Sequence, residues 1–318
     1  MQELRNLVRT RRQIFRHALL DACILVLGLI FLSACDQKPE ALALHYSDAP
    51  ATPQGANYRL VPHPLYSPQK LSEVFLPLVD YLNRQLPGVK IRLEGSRDYQ
   101  AYEVKFRARE GEILMPNPWQ TVEAMKVGYH VVATWGAAED FKGLFIVRKD
   151  SGIKTPQDLK GKVVSYPSPT ALAAAIMPQY FLHSHGININ KDVRNVYVGS
   201  QESSMMNVYL ASSAAGATWP PPWRMFQQQH PDEASKLRVI WETPSLINNS
   251  VMVRDDVPET VRQRIQQLFL DLPKTVEGKK ILADMETASF YPANDTSYDI
   301  VRKYVARFEA EVRPVEQK

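Results

Sequence analysis

From Tyr58 onward, short runs of aliphatic and β-branched residues alternate with stretches whose apolar positions recur every three or four residues. That alternation restricts the chain to an α/β architecture, in which parallel strands joined by helical crossovers are the natural connection. Strands are expected at 58–61, 90–93, 112–115, 130–134, 143–148, 162–166, 195–198, 237–241 and 250–254. The first helix is the best marked. Ser67 caps it, Pro68 takes its first position, Leu71, Val74, Phe75, Leu78, Val79 and Leu82 share one face, and Pro87-Gly88 stops it. Further helices are expected at 99–107, 119–127, 170–183, 203–211, 258–272, 276–285 and 297–312, whereas Trp219-Pro220-Pro221-Pro222-Trp223 reads as a rigid irregular segment.

The N-terminal part bears on location. Arg5, Arg9, Arg11, Arg12 and Arg16 precede an apolar run that ends in Leu32-Ser33-Ala34-Cys35, which resembles a bacterial lipoprotein signal. Residues 1–34 are expected to be a signal peptide, Cys35 the lipidated first residue, and 35–57 a tether on the periplasmic side of the inner membrane, where Asp36 resembles a retention signal. An uncleaved membrane helix fits less well, because the run is short for a span and Asp21 interrupts its start. Thr10-Arg11-Arg12 loosely resembles a twin-arginine signal, so the export route stays open.

Cys23 and Cys35 are the only cysteines, so the processed protein has no pair to oxidise and a packed core alone must hold it. Losing five arginines and two acids with the signal takes the formal charge from +4 to +1. Basic residues are spread thinly, which gives no case for nucleic acid.

The segment Tyr166-Pro167-Ser168-Pro169-Thr170-Ala171 leaves an expected strand and enters an expected helix. A helix start carries free N–H groups and partial positive charge, so with the Ser168 and Thr170 hydroxyls it can hold an oxyanion without lysine or arginine. An ordinary N-cap is the competing reading. Tyr66, Tyr99, Trp119, Tyr166, Trp219 and Trp223 lie at element ends, where aromatics either close over a ligand or pack the core; core packing is the expectation for Trp223 and Trp241. Glu202 either meets a ligand amine or stabilises its own helix start. His183 and His185 point apart on a helix end, no metal site is expected, and no motif nominates a nucleophile, a phosphate loop or a cofactor.

The order of segments carries a resemblance. Leu76-Pro77-Leu78-Val79-Asp80-Tyr81-Leu82, Asn117-Pro118-Trp119, Val147-Arg148-Lys149-Asp150-Ser151-Gly152-Ile153, Asp158-Leu159-Lys160-Gly161-Lys162 and Val251-Met252-Val253-Arg254 resemble the periplasmic substrate-binding proteins of phosphonate and phosphite ABC importers. The resemblance runs from Tyr58 to about Tyr304. It implies a two-lobed type II periplasmic binding protein fold with two crossover hinge strands, lobe one at 58–141 plus 246–318 and lobe two at 142–245. It further implies an interlobe ligand site at Tyr66, Tyr99, Asn117, Trp119, Tyr166, Ser168, Thr170, Ala171, Gln201 and Trp219.

The implied function is that of a lipid-anchored, monomeric, non-enzymatic solute-binding protein. It captures a small oxyanionic solute and presents it to an inner-membrane ABC permease. A sensor docked on a membrane signalling protein, or a metabolite-converting enzyme on the same fold, are the alternatives. The chain departs from the family where a Ser-Thr-Ser-Gly run is replaced by Ser168-Pro169-Thr170-Ala171. It departs again where Gln201 follows Gly199-Ser200 in place of histidine, and where Ala215 stands for an acid. Specificity is therefore expected to have diverged.

Overall fold

The computed structural model describes residues 55–316. The signal peptide, Cys35 and nearly all of the tether lie outside the described residues.

Eleven strands form two sheets among the described residues. Six of them are β1 (Ala56–Pro62), β2 (Val89–Leu93), β3 (Ile113–Met115), β4 (Tyr129–Trp135), β10 (Ser250–Arg254) and β11 (Phe290–Pro292), ordered β11-β4-β10-β3-β1-β2. In that sheet β1 runs parallel to β2 and β3, while β10 lies antiparallel between β3 and β4. The second sheet holds β5 (Leu144–Arg148), β6 (Val163–Tyr166), β7 (Arg194–Tyr197), β8 (Ala215–Thr218) and β9 (Leu237–Glu242), ordered β7-β6-β8-β5-β9. The chain passes between the sheets twice, over 136–143 and 243–249. This is a mixed α/β fold of the expected type.

The first helix, α1 (Pro68–Gln85), shows how periodicity becomes packing. Ser67 Oγ accepts from the Lys70 amide, and Leu71, Val74, Phe75, Leu78, Val79 and Leu82 are all buried. Each such side chain contributes roughly 1.5–3 kcal/mol by leaving water. Nine further α-helices follow among the described residues: α2 (Tyr99–Arg107), α3 (Pro118–Met125), α4 (Met177–Ser184), α5 (Gln201–Tyr209), α6 (Pro220–Gln229), α7 (Pro231–Ala234), α8 (Glu259–Asp271), α9 (Val276–Asp284) and α10 (Asp299–Glu311).

The structure corrects two expectations. The proline run is not irregular, because Pro220, Pro221 and Pro222 open α6. The first four amides of a helix have no intrahelical partner, so prolines there forfeit no hydrogen bond and arrive with φ preset. The helix expected from Thr170 is also displaced. Residues Leu172–Ile176 form a π turn in which the Ile176 amide donates to the Ala171 carbonyl, and α4 begins only at Met177. Pro178 has no N–H to give an α-helix begun at 170, so the ladder cannot run unbroken through it.

Candidate functional site

The carboxyl ends of parallel strands position most of the polar residues of interest, the usual place for ligand contacts in open α/β sheets. His63 follows β1, Asn117 follows β3, Ser168 and Thr170 follow β6, Gln201 opens α5 beyond β7, and Trp219 follows β8.

Thr170 is the meeting point. Its hydroxyl donates to Glu103 Oε1 at 2.5 Å, its carbonyl accepts from Asn117 Nδ2 at 3.2 Å, and Ser168 Oγ lies 2.9 Å from its Oγ1. Glu103 lies on α2 and Asn117 caps α3, helices that connect strands of the six-stranded sheet, whereas Thr170 and Ser168 belong to the segment leaving the five-stranded one. Asn117 is held by a capping box on α3. Its Oδ1 accepts from the Gln120 amide while Gln120 Oε1 accepts from the Asn117 amide, and Gln120 Nε2 donates to Glu103 Oε1 at 3.2 Å. Burial pushes the Glu103 carboxyl above its ordinary range, against the pull of the Thr170 and Gln120 donors.

Ser168 is turned on its own backbone. Its hydroxyl accepts from the Thr170 amide at 3.3 Å and its carbonyl from the Ala171 amide at 3.2 Å, so neither amide is free as a helix start would leave it. Behind this segment, Arg313 Nη2 donates to the Pro169 carbonyl at 3.0 Å and Nε to Gln179 Oε1 at 2.8 Å.

A second bridge lies alongside. Gln201 Nε2 donates to the Tyr99 hydroxyl at 3.2 Å, and its Oε1 accepts from Thr218 Oγ1 at 2.9 Å. Tyr99 packs edge-on to His63, ring centroids 6.1 Å apart. His63 is buried, and its Nδ1 stands 2.9 Å from the Met115 carbonyl. A carbonyl only accepts, so Nδ1 carries the proton and Nε2 is left as an acceptor. Desolvation holds this imidazole down at about 4, neutral at physiological pH.

The structure thus brings Tyr99, Asn117, Ser168, Thr170 and Gln201 into two adjacent hydrogen-bonded bridges. Tyr66 is in neither bridge but borders a recess with Gln201, Lys70, Met205 and Phe226, and its buried hydroxyl has no partner among the described residues. Trp119, Tyr166 and Ala171 pack in the core, Tyr166 with its ring 5.8 Å from that of Tyr197. Trp219 packs on Phe141 at 5.7 Å. Trp223 stacks on Phe226 and Trp241 lies against Phe145, both as packing residues. Glu202 faces His230 at 3.2 Å.

Glu103, Gln120, His63 and Arg313 are absent from the sequence-based set. For Glu103 a signal existed, since it lies four positions after Tyr99 and so on the same helical face, with Tyr102 and Phe106 also buried. Among the described residues no group of three or more His, Cys, Asp or Glu side chains could hold a metal ion.

Comparison with known proteins gives consistent results. The family profile described as "ABC transporter, phosphonate, periplasmic substrate-binding protein" matches residues 60–298. The chain is 22% identical over 245 residues to the phosphonates-binding periplasmic protein of Escherichia coli K12, covering 74% of this chain and 72% of that protein. It is 25% identical over 232 residues to a probable ABC transporter phosphite-binding protein of Prochlorococcus marinus, covering 68% and 78% respectively. A Prochlorococcus marinus protein solved with methylphosphonate superposes with a TM-score of 0.74 at 20% identity, over 81% of this chain and 99% of that one.

Proposed function

Because this chain belongs to the periplasmic phosphonate substrate-binding proteins of ABC transporters, we propose that it captures a small oxyanionic solute between its two sheet units and hands it to an inner-membrane permease. In this reading residues 58–141 and 246–318 form one lobe, 142–245 form the other, and 136–143 and 243–249 are the hinges. A ligand seated at the Ser168–Thr170 hydroxyls with Tyr99, Asn117 and Gln201 around it would touch both lobes, so its binding would favour closure. Acyl chains on Cys35 would keep the protein at the membrane beside its permease.

One observation carries the proposal: the bridges Thr170–Asn117 and Gln201–Tyr99 run from one sheet unit to the other through neutral donors and acceptors at strand ends. Neutral hydrogen-bonding groups suit a ligand that must be released again, because no buried countercharge is left unpaired when it departs.

Thermal unfolding of residues 36–318 with methylphosphonate, phosphite and orthophosphate tests it. A binder at a hundredfold excess over its Kd adds about 2.7 kcal/mol of stability. The reading expects such a shift with at least one of these anions and its loss in T170V and Q201A; no shift with any of them would refute the oxyanion assignment.

A further inference from the structure

Glu103 stands where an oxyanionic ligand would be expected to find only donors. It is 5% exposed, and the two donors that reach it, Thr170 Oγ1 and Gln120 Nε2, converge on Oε1. Among the described residues no donor reaches Oε2. Arg107 lies close enough to influence the carboxyl, but its guanidinium is committed to Glu316 at 2.6 Å, and no lysine or arginine among the described residues pairs with Glu103 directly. The other titratable neighbours are Glu316, whose charge also pushes the Glu103 carboxyl up, and Tyr99 and Tyr102, buried phenols on the same helix. The carboxylate therefore spends one oxygen on the Thr170 hydroxyl that the oxyanion reading assigns to the ligand, and keeps an acceptor beside it.

From this geometry we infer that Glu103 is a specificity-determining residue which admits an oxyanion only if that anion brings a hydrogen of its own to donate. The inference rests on the oxyanion reading above. A protonated oxyanion places its O–H against the carboxylate and its remaining oxygens against Thr170 and its neighbours, satisfying both sides. A fully ionised anion offers lone pairs to a carboxylate already short of donors, and the buried like charge then opposes binding. Selection by one unmatched polar contact is the strong form of discrimination available to a buried site.

The test compares methylphosphonate, which keeps one acidic hydrogen as a monoanion, with sulfate, which has none near neutral pH. Titration calorimetry on residues 36–318 would use the wild type, E103Q and E103A. The amide of E103Q keeps a carbonyl acceptor for Thr170 at nearly the same volume and supplies a donor, so it carries the test even if E103A is unstable. The expected result is a wild-type preference for methylphosphonate that falls by roughly tenfold or more in both variants, chiefly through gained sulfate affinity.

A wild type that binds neither anion, with sulfate bound by E103Q, would overturn the inference as well as the oxyanion reading for the native chain, because Glu103 would then repel anions whether or not they carry a hydrogen. Equal wild-type affinity for both anions, or a preference that persists in the variants, would overturn the inference and leave that reading intact. Absence of binding throughout would overturn both.

Discussion

Nη2 of Arg313 donates to the carbonyl oxygen of Pro169 across 3.0 Å, a second hold, beside that of Asn117 on Thr170, on the segment that carries Ser168 and Thr170. The same guanidinium holds Gln179 and the Pro314 carbonyl and lies 5.1 Å from the Phe308 ring centre, and its burial pulls its own ionisation down. A planar fork is needed to reach so many acceptors at once, so lysine is no substitute.

R313K and R313M are each expected to lose about 1–3 kcal/mol of stability, because both strand the Pro169 and Gln179 acceptors. Denaturant unfolding of residues 36–318 checks this. A loss below a few tenths of a kcal/mol in both variants would show that the contact is dispensable.

His63 makes stability depend on acid. Its imidazole is held at about 4 in the folded state against an ordinary 6.5, so between those values the unfolded chain binds the extra proton. The contribution is complete above pH 6.5 and is lost as pH falls toward 4, on the order of 3 kcal/mol. Glu103 works in the opposite sense, its raised carboxyl costing stability as pH climbs past the ordinary 4.5. Unfolding free energy measured from pH 7 to 4 should fall less steeply in H63Q than in the wild type, and identical slopes would refute the assignment.

Gly216 in β8 leaves no room for a methyl group. A Cβ there would lie 2.5 Å from the Ser204 carbonyl oxygen and 2.8 Å from Val208 Cγ2, both on α5. G216A is expected to cost about 1–3 kcal/mol through overpacking, read as a lower thermal midpoint; an unchanged midpoint would mean that α5 moves away freely.

Cys35 carries the anchoring proposal. In a bacterial host, C35S should abolish metabolic labelling with a palmitate analogue and move the chain from the membrane to the soluble periplasmic fraction. Labelling that survives the substitution would place any lipid elsewhere.

Periodicity made α1 legible residue by residue, since a helix buries whatever recurs at its own pitch. It could not reveal β8, whose Ala-Gly-Ala-Thr has Thr218 as its one β-branched residue and is a strand because β6 and β5 pair with it and α5 needs small residues beneath. β11 is a three-residue edge strand recognised only by its pairing with β4. Tyr99, Asn117, Thr170 and Gln201 were readable as element-end residues, and their mutual bonding was not. The Glu103–Thr170 bond spans 67 positions, a separation on which no local pattern bears.

The double passage between sheets also sets an order of assembly. A chain that appears N-terminus first has every strand of the five-stranded sheet in hand once Glu242 is made, while β10, which sits between β3 and β4 in the other sheet, is still to come. The strands of the five-stranded sheet are therefore all available to pair at that point, whereas β3 and β4 must wait unjoined until residues 250–254 arrive to knit them together. A chaperone that shields exposed strand edges would have its work in that interval.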